Sequence, residues 1–154
     1  MKKIISILSK IVSFLVIVYV ITVLPMLLNY HPLVVLSGSM EPTYKVGSLI
    51  YYKSRNNYKE NDPITFSLHN NIVTHRIVKI IDNEYTTKGD ANESPDLETI
   101  TIDNIKGKVC RISIPYIGYY LKYLNDNTYL VIIMLMIISV DILINKKGDI
   151  YVEE

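Results

Sequence analysis

An 18-residue run without a charged side chain, residues 11–28, constrains the fold of this chain more than any other feature of its sequence. A helix over this run would rise about 27 Å at about 1.5 Å per residue, close to the roughly 30 Å hydrocarbon core of a bilayer. Inside a bilayer, a single segment satisfies its backbone polar groups only as a helix. The run therefore predicts a helix that anchors the chain in a lipid bilayer.

The start of the chain, Met1-Lys2-Lys3 followed by apolar residues, is also typical of a secretory signal peptide. The apolar core of such a peptide is only about 7–15 residues long, and a pair of small residues follows it at the cleavage site. Here the run is longer, and the sequence after it, Asn29-Tyr30-His31-Pro32, has no such pair. We therefore expect an anchor that is not cleaved.

A second apolar run covers residues 129–144 and contains one charged residue, Asp141. It is shorter than the about 20 residues that a membrane span prefers, and a buried core helix is the alternative interpretation. Five tyrosines crowd its near end like the aromatic belt of a membrane interface: Tyr116, Tyr119, Tyr120, Tyr123 and Tyr129. We expect a second transmembrane helix here.

Lysines flank the two runs on their outer sides. Lys2, Lys3 and Lys10 precede the first run, and Lys146 and Lys147 follow the second. Because Lys and Arg are enriched on the cytoplasmic side of membrane spans, both termini are predicted to be cytoplasmic in a multi-pass protein of the cell membrane. The predicted parts are a tail (1–10), an anchor (11–28), an extracytoplasmic domain (29–128), a second transmembrane helix (129–144) and a tail (145–154).

The composition excludes several classes of protein. The chain is 49% hydrophobic and 20% charged, below the about 25% charge of soluble domains, which argues against a soluble protein. Residues 29–128 contain eleven Lys and Arg and eleven Asp and Glu, so no basic surface suggests nucleic acid as a partner. With one cysteine, three scattered histidines and no His-Glu-x-x-His motif, neither a disulfide nor a metal nor another cofactor is expected.

The segment between the two runs is rich in Ile, Val, Thr and Tyr, in alternating patterns that are typical of strands. We expect a compact, mostly antiparallel β domain with a hairpin turn at His69-Asn70-Asn71 and a polar loop over residues 89–96. The predicted strands cover residues 33–36, 46–52, 63–68, 72–81, 85–88, 100–102 and 106–114.

Ser37-Gly38-Ser39 follows the first predicted strand, and Pro42 comes shortly after it. A serine on a tight turn can present its hydroxyl as a nucleophile, with nearby backbone N–H groups free to hold an oxyanion. The alternative is an ordinary polar turn, and the turn taken by itself favours that alternative.

A serine nucleophile needs a base, and His75 is the best candidate because imidazole titrates near neutrality. Strand alternation places His75 on one face with Ile77 and Lys79, where we expect it to be partly buried and hydrogen-bonded. His31, beside the predicted membrane exit, and His69, in the predicted turn, are more simply interpreted as interfacial and solvated residues.

An acidic residue would hold the imidazole in the required tautomer. Asp90 and Asp96 lie six residues apart in the polar loop, and Ala91 and Pro95 limit the freedom of that loop. Such a segment is usually a solvated loop. The combination of a serine turn, a strand histidine and an acidic loop nevertheless favours a serine hydrolase.

Two alternatives stay open at this point. Cys110 with an upstream histidine is compatible with a membrane-anchored cysteine transpeptidase, although a lone cysteine in a strand pattern is usually a small core residue. The other alternative is a non-catalytic two-span membrane protein whose β domain binds a partner.

Four ordered motifs resemble those of a known family. Ser37-Gly38-Ser39-Met40-Glu41-Pro42-Thr43, continued by Val46-Gly47, resembles the nucleophile motif of the type I signal peptidases. Thr74-His75-Arg76-Ile77 resembles their endoplasmic-reticulum type, found also in archaea and some Gram-positive bacteria, in which histidine replaces the lysine of the common bacterial type. Lys88-Gly89-Asp90-Ala91-Asn92 with Pro95-Asp96 is similar to the acidic box of that type, and residues 107–118 are similar to its closing segment.

The resemblance implies a β-rich catalytic domain that removes signal peptides from secretory preproteins. The two apolar runs and their lysines add two flanking transmembrane helices and place this reaction at the outer membrane surface. The resemblance leaves open whether accessory subunits take part. The lysine of the common bacterial type is absent where His75 stands, and Lys79 is a fallback base. The roles it implies are nucleophile for Ser39, general base for His75, orienting acid for Asp96, second required carboxylate for Asp90 and oxyanion donor, beside the Ser39 amide, for Ser37.

Overall fold

The computed structural model describes the backbone of residues 2–150 and the side chains of residues 3–144. The α-helices in this range are α1 (Lys2–Val23), α2 (Ile117–Asp126) and α3 (Tyr129–Ile150). The strands are β1 (His31–Val34), β2 (Leu49–Lys53), β3 (Pro63–Leu68), β4 (Asn71–Ile81), β5 (Glu84–Lys88) and β6 (Ile105–Ile114). Short 3-10 helices cover Leu24–Leu28, Gly38–Met40 and Ile102–Asn104.

The chain divides into two compact units. In one unit, α1 packs against α3; α1 begins at Lys2, and α3 continues to Ile150, so both predicted tails are largely helical. Met1 and residues 151–154 of those tails lie outside the described residues. The other unit, Leu24–Leu121, contains the sheet and all the candidate site residues.

One helix among the described residues, Lys3–Leu28, is by itself long and apolar enough to cross a membrane, with a mean hydropathy of 2.8. The apolar helix predicted over residues 11–28 is therefore confirmed as a helix. The pair formed by α2 and residues 129–144 meets the same criterion only when the bent pair is counted as one span. The second transmembrane helix accordingly stays a prediction.

The six strands form one antiparallel sheet in the order β1-β2-β6-β3-β4-β5, as the β-domain prediction required. The hairpin turn between β3 and β4 is also confirmed, since His69 and Asn70 adopt positive φ angles of 47° and 64°. The strand predicted at residues 100–102 is wrong. Ile100 makes one isolated bridge to Tyr85, and the chain then enters a 3-10 helix that Thr101 and Asn104 cap reciprocally.

Two clusters of buried side chains support the sheet, and each lies beside one part of the candidate site. The first cluster contains Tyr58, Ile64, Phe66, Ile77, Tyr85 and Ile100, and the Phe66 ring packs edge to face against His75, with 6.3 Å between ring centroids. The second contains Met40, Tyr44, Ile50 and Val109, and Met40 directly follows Ser39. Burial of these apolar groups fixes the elements that carry the site.

A β-bulge in β4 corrects the expectation for Lys79. The register between β4 and β5 shifts between Ile77 and Lys79, and an extra residue at a bulge reverses the alternation of side chains beyond it. Ile77 is fully buried, whereas Lys79 is exposed. Lys79 therefore does not share the face of His75 and Ile77, and it lines neither of the two cavities described below.

Gly47 ends the turn that connects the serine segment to β2. Its φ is +80°, and an added Cβ would lie 2.1 Å from Cε2 of Tyr119. Its N–H donates to the Val35 carbonyl at 2.9 Å, and the N–H of Val35 donates to the Ser48 carbonyl at 3.0 Å. These bonds extend the β1–β2 pairing toward the serine turn.

Replacing Gly47 by Ala is expected to lower the free energy of unfolding by about 1–3 kcal/mol, because the side chain would require both a strained φ and a displaced tyrosine ring. Thermal unfolding of the full-length protein in detergent micelles measures the change. Gly38→Ala is the matched control, since its Cβ would come no closer than 3.7 Å to a neighbour. Equal stability of the two variants would contradict the prediction.

Candidate active site

The candidate nucleophile lies on the 3-10 turn that follows β1. Ser37 enters the turn with extended backbone angles (φ −133°, ψ 161°), and the N–H of Glu41 donates to the Gly38 carbonyl at 3.0 Å. Met40 is buried and ties the turn to the core, while Ser39 is only half-buried. The Oγ atoms of Ser37 and Ser39 lie 3.4 Å apart. The turn therefore holds two hydroxyls side by side near the surface.

The polar loop after β5 contacts the serine turn through its backbone. The N–H of Ala91 donates to the Ser39 carbonyl at 2.9 Å, and the N–H of Asn92 donates to the Gly89 carbonyl at 3.0 Å. A Cβ on Gly89 would lie only 2.6 Å from the same Ser39 oxygen. Gly89 therefore allows a close approach between loop and turn that a side chain would prevent.

His75 is buried, with 9% of its surface exposed, and its Nδ1 lies 2.7 Å from Oδ2 of Asp96. Thr87, which is fully buried in β5, donates its hydroxyl to the same carboxylate oxygen at 2.6 Å, while the Asp96 N–H donates to the Thr87 carbonyl at 2.8 Å. A carboxylate facing Nδ1 favours the tautomer that carries its proton there. The lone pair of Nε2 is then free to accept a proton.

Ser39 and His75 line the same cavity, which has a volume of about 580 Å³. Ser37 and Asn92 also border it. Much of the remaining wall is apolar and comes from β1, the residues after it and β4: Leu33, Val34, Val35, Leu36, Ile72 and Val73. The cavity thus places a hydroxyl and an oriented imidazole beside space for an apolar ligand.

The amino-acid sequence is similar to those of several curated proteins. The chain is 36% identical over 131 residues to signal peptidase I W of Bacillus subtilis, and the match covers 75% of this chain and 69% of that protein. It is 31% identical over 130 residues to the signal peptidase complex catalytic subunit SEC11 of Fusarium vanettenii, and this match covers 74% of this chain and 75% of that protein. It is 30% identical over 130 residues to the corresponding subunit of Neurospora crassa, with the same coverage of both chains. No family model matches the chain.

The chain belongs to the signal peptidase I family. Its similarity to both a Bacillus enzyme and fungal SEC11 subunits agrees with the endoplasmic-reticulum type to which its motifs point. It is accordingly a signal peptidase, a hydrolase of the serine protease class that removes signal peptides.

The other loop carboxylate of this signal peptidase, Asp90, pairs with the strand residue next to His75. Arg76 donates to it through two nitrogens, from Nε to Oδ1 at 2.8 Å and from Nη2 to Oδ2 at 2.6 Å. The Thr43 hydroxyl donates to the same Oδ2, and Arg76 also donates to the Asn61 carbonyl at 2.9 Å. Asp90 therefore connects β4 to the segment after the serine turn.

Burial by itself would raise the pKa of Asp90, but the hydrogen bonds from Arg76 and Thr43 and the charge of Arg76 outweigh it and hold this pKa below its ordinary value. The same pairing raises the pKa of Arg76. Both groups stay charged at neutral pH, so the ion pair is permanent under physiological conditions.

Of the residues predicted for the signal peptidase site, four lie in one region: Ser37, Ser39, His75 and Asp96. Asp90 lies in the same loop as Asp96, but the hydrogen bonds of its side chain go to Arg76 and Thr43 rather than to His75.

Cys110 lies within β6, is half-buried and lines neither cavity that borders His75. Burial raises the pKa of its thiol, which disfavours the thiolate that a cysteine nucleophile needs. The other two histidines line neither cavity. His31 begins β1 and stacks on Tyr52, and the exposed His69 lies 3.6 Å from Glu98.

Sequence reasoning missed three contributors to the site of the signal peptidase: Thr43, Arg76 and Thr87. Thr87 had a weak signal, because a polar residue in the middle of a predicted strand needs a hydrogen-bond partner when it is buried. For Arg76 and Thr43 the partner depends on the path of the loop. In the part of the chain that the structure describes, no three His, Cys, Asp or Glu side chains are grouped as metal ligands.

Asp90→Asn is expected to lower the free energy of unfolding at pH 7 by about 1.5–3 kcal/mol, the contribution of hydrogen bonds to a charged group. A carboxylate with a depressed pKa stabilises the fold above its ordinary pKa of about 3.9, and this stabilisation is lost as the pH falls through the depressed value. The stability difference between wild type and variant should therefore be constant above about pH 5 and shrink in more acid solution.

Unfolding of the full-length proteins in detergent, followed between pH 3 and pH 7, measures this difference. Asp103→Asn is the control, because Asp103 is exposed and lies outside the site. A wild-type advantage over Asp90→Asn that stays unchanged down to pH 3 would show that the ionised pair does not stabilise the fold.

Proposed function

We propose that this signal peptidase cleaves secretory preproteins with Ser39 as nucleophile and His75 as general base. The observation that carries the proposal is the 2.7 Å contact between His75 Nδ1 and Asp96 Oδ2, at the wall of the cavity that Ser39 also lines. A serine on a tight turn, beside an imidazole that a carboxylate orients, has the groups that acyl transfer requires.

In the proposed reaction, Nε2 of His75 takes the hydroxyl proton of Ser39 while Oγ forms a bond to the scissile carbonyl carbon. The imidazolium then gives this proton to the leaving amine as the carbon–nitrogen bond breaks. A water molecule, deprotonated by His75, then attacks the carbonyl carbon of the acyl-enzyme. The bond from that carbon to Ser39 Oγ breaks, His75 returns the proton to Oγ, and the signal peptide leaves with a free carboxylate. Asp96 stays ionised throughout and stabilises the imidazolium.

Ser37 and the backbone N–H of Ser39 are the proposed oxyanion donors. The Ser37 hydroxyl lies next to the Ser39 hydroxyl and is exposed, so it can turn toward an oxygen of a bound substrate. Each such donor contributes about 10²–10³-fold to the rate.

Asp90 is proposed as a positioning residue. This role explains why the site has a second carboxylate whose hydrogen bonds go to residues other than the proposed base, His75. Its ion pair with Arg76 and its bond from Thr43 hold one end of the loop whose other end carries Asp96. Loss of Asp90 would therefore affect catalysis through the position of Asp96 and of the serine turn.

We also propose that residues 11–28 anchor the enzyme in the lipid bilayer, that residues 129–144 form a second span, and that the catalytic domain, residues 29–128, lies outside. The apolar helix Lys3–Leu28, its packing against α3 and the lysines outside both runs support this arrangement. Ser39 lies eleven residues beyond Leu28, within about 36 Å of the membrane even if that segment were fully extended. The cleavage site of a signal peptide in the same bilayer also lies close to the outer membrane surface, within reach of a serine at this distance.

Neither alternative from the sequence fits as well. A transpeptidase based on Cys110 would need a reactive thiolate beside a histidine, whereas Cys110 is a half-buried strand residue outside both cavities. A non-catalytic membrane protein does not fit with membership of an enzyme family.

Ser39→Ala and His75→Ala are each expected to reduce preprotein cleavage by at least about 10³-fold, because each removes a group that acts in the chemical step. Asp96→Asn should reduce kcat by about 10³–10⁴-fold with little change in KM, since it disturbs the tautomer and not substrate binding. The measurement is cleavage of a preprotein by full-length enzyme in lipid vesicles.

Three matched variants control this experiment. Ser54→Ala and His31→Ala replace the same residue types outside the site, and Cys110→Ala tests the thiol alternative; all three should cleave at the wild-type rate. Wild-type cleavage by Ser39→Ala would rule out the proposed nucleophile, and loss of activity in Cys110→Ala alone would support the transpeptidase.

The proposed orientation is tested by labelling single cysteines in a Cys110→Ala background, which contains no other cysteine. In right-side-out bacterial spheroplasts, a membrane-impermeant thiol reagent should label Lys59→Cys, in an exposed part of the catalytic domain. Lys3→Cys and Lys147→Cys should react only after the membrane is permeabilised. Labelling of Lys147→Cys in sealed spheroplasts would instead indicate a single span.

A further inference from the structure

The proposed reaction requires space for the substrate on the side of His75 that faces away from Ser39. The leaving amine takes its proton from the imidazole, so the substrate chain beyond the cleaved bond must pass His75. The acyl half of the substrate remains bonded to Ser39 at that stage. A binding site for the first residues of the mature protein should therefore border His75 and lie away from the serine turn.

A second cavity, with a volume of about 410 Å³, meets this condition. Val73, His75 and Asn92 line both this cavity and the larger one. Ser39 borders only the larger cavity, and Asp96 borders only the second. A chain that runs from one cavity into the other therefore crosses His75.

The second cavity has an apolar floor and a charged rim. Phe66 and Leu68 from β3, together with Val73 from β4, form the floor. Leu97 at the mouth is fully exposed, and the side chain of Glu98 next to it is 57% exposed, with His69 3.6 Å away. The rim thus combines an exposed apolar surface with the carboxylate of Glu98, while the other carboxylate of the cavity, Asp96, is paired with His75. This combination suits a peptide with apolar and basic side chains.

Asn92, on the wall between the two cavities, has an unused side-chain amide. Asn92 is half-buried, and within residues 3–144 no hydrogen bond joins its side-chain amide to another group. An amide both donates and accepts hydrogen bonds, as does each peptide unit of an extended substrate. Asn92 can therefore hold the substrate backbone where it crosses from one cavity into the other.

We infer that the second cavity binds the first residues of the mature protein, directly after the cleaved bond. The apolar floor receives an uncharged side chain, Asn92 binds the backbone, and Glu98 favours basic over acidic residues at the rim. This inference rests on the proposed Ser39–His75 mechanism, and it assigns to the enzyme a preference on the released side of the bond.

The first experiment uses preproteins that share one signal peptide and carry Lys, Gln or Glu at the first or second mature position. For wild-type enzyme, kcat/KM should be about two- to five-fold higher with Lys than with Glu, as expected for an exposed charge pair, and the difference should fall at high salt. Glu98→Lys should reverse the order. This variant changes an exposed side chain, so it is expected to fold normally.

Two controls separate a local effect from a general change in charge. Asp103→Lys makes the same change of charge at an exposed residue that lines neither cavity, and it should keep the wild-type order. A second substrate series varies the charge before the cleaved bond, and Glu98→Lys should not alter its order. Equal effects of Glu98→Lys on both series, or reversal by Asp103→Lys, would overturn the assignment of the cavity.

The second experiment measures how the acyl-enzyme divides between water and an added dipeptide amide, which must occupy the leaving side. Asn92→Ala should lower the ratio of transfer to hydrolysis by about three- to ten-fold, the effect of one lost hydrogen bond. A purely structural role for Asn92 would lower both reactions in parallel and leave the ratio unchanged.

Failure of this inference is distinguishable from failure of the mechanism. If Ser39→Ala still cleaves every substrate, the mechanism is wrong, and the inference falls with it. If Ser39→Ala is inactive while Glu98→Lys keeps the wild-type order and Asn92→Ala keeps the wild-type ratio, only the assignment of the second cavity is wrong.

Discussion

Two consecutive residues of one strand hold both ends of the acidic loop. His75 and Arg76 point to opposite faces of β4, as strand geometry requires, and each contacts a carboxylate of the same loop: Asp96 in one case and Asp90 in the other. The loop is thereby fixed where its backbone meets the serine turn, at the bond from the Ala91 N–H to the Ser39 carbonyl. The relative positions of serine, histidine and carboxylate all depend on this double attachment.

The sheet was largely predictable because its strands carry strong local signals. Residues 63–68 form β3 with the predicted bounds, since turn residues border an alternating apolar segment on both sides.

Helix α2 was missed, because its tyrosines were interpreted as a membrane interface. Its buried Leu121 and Leu124, one turn apart, carried a helical signal that the neighbouring tyrosines obscured.

Of the candidate site, only the residues at positions of the family motifs were predictable from the sequence. The resemblance implies that Asp96 orients His75. No local pattern indicates the pairing of Arg76 with Asp90, which joins residues 14 apart through a loop. The bulge after Ile77 likewise depends on the register with β5. Long-range pairing of charges and irregular strand register are tertiary properties, and a single sequence gives little information about them.

Between its two anchored aspartates, the acidic loop presents side chains that take part in neither attachment. Glu93, Ser94 and Pro95 are exposed there. Mutations there leave the pairs with His75 and Arg76 in place, while they reshape the surface next to the second cavity. Over evolutionary time, such an enzyme can adapt to a new set of secreted proteins by drift in a few loop positions, without passing through inactive intermediates.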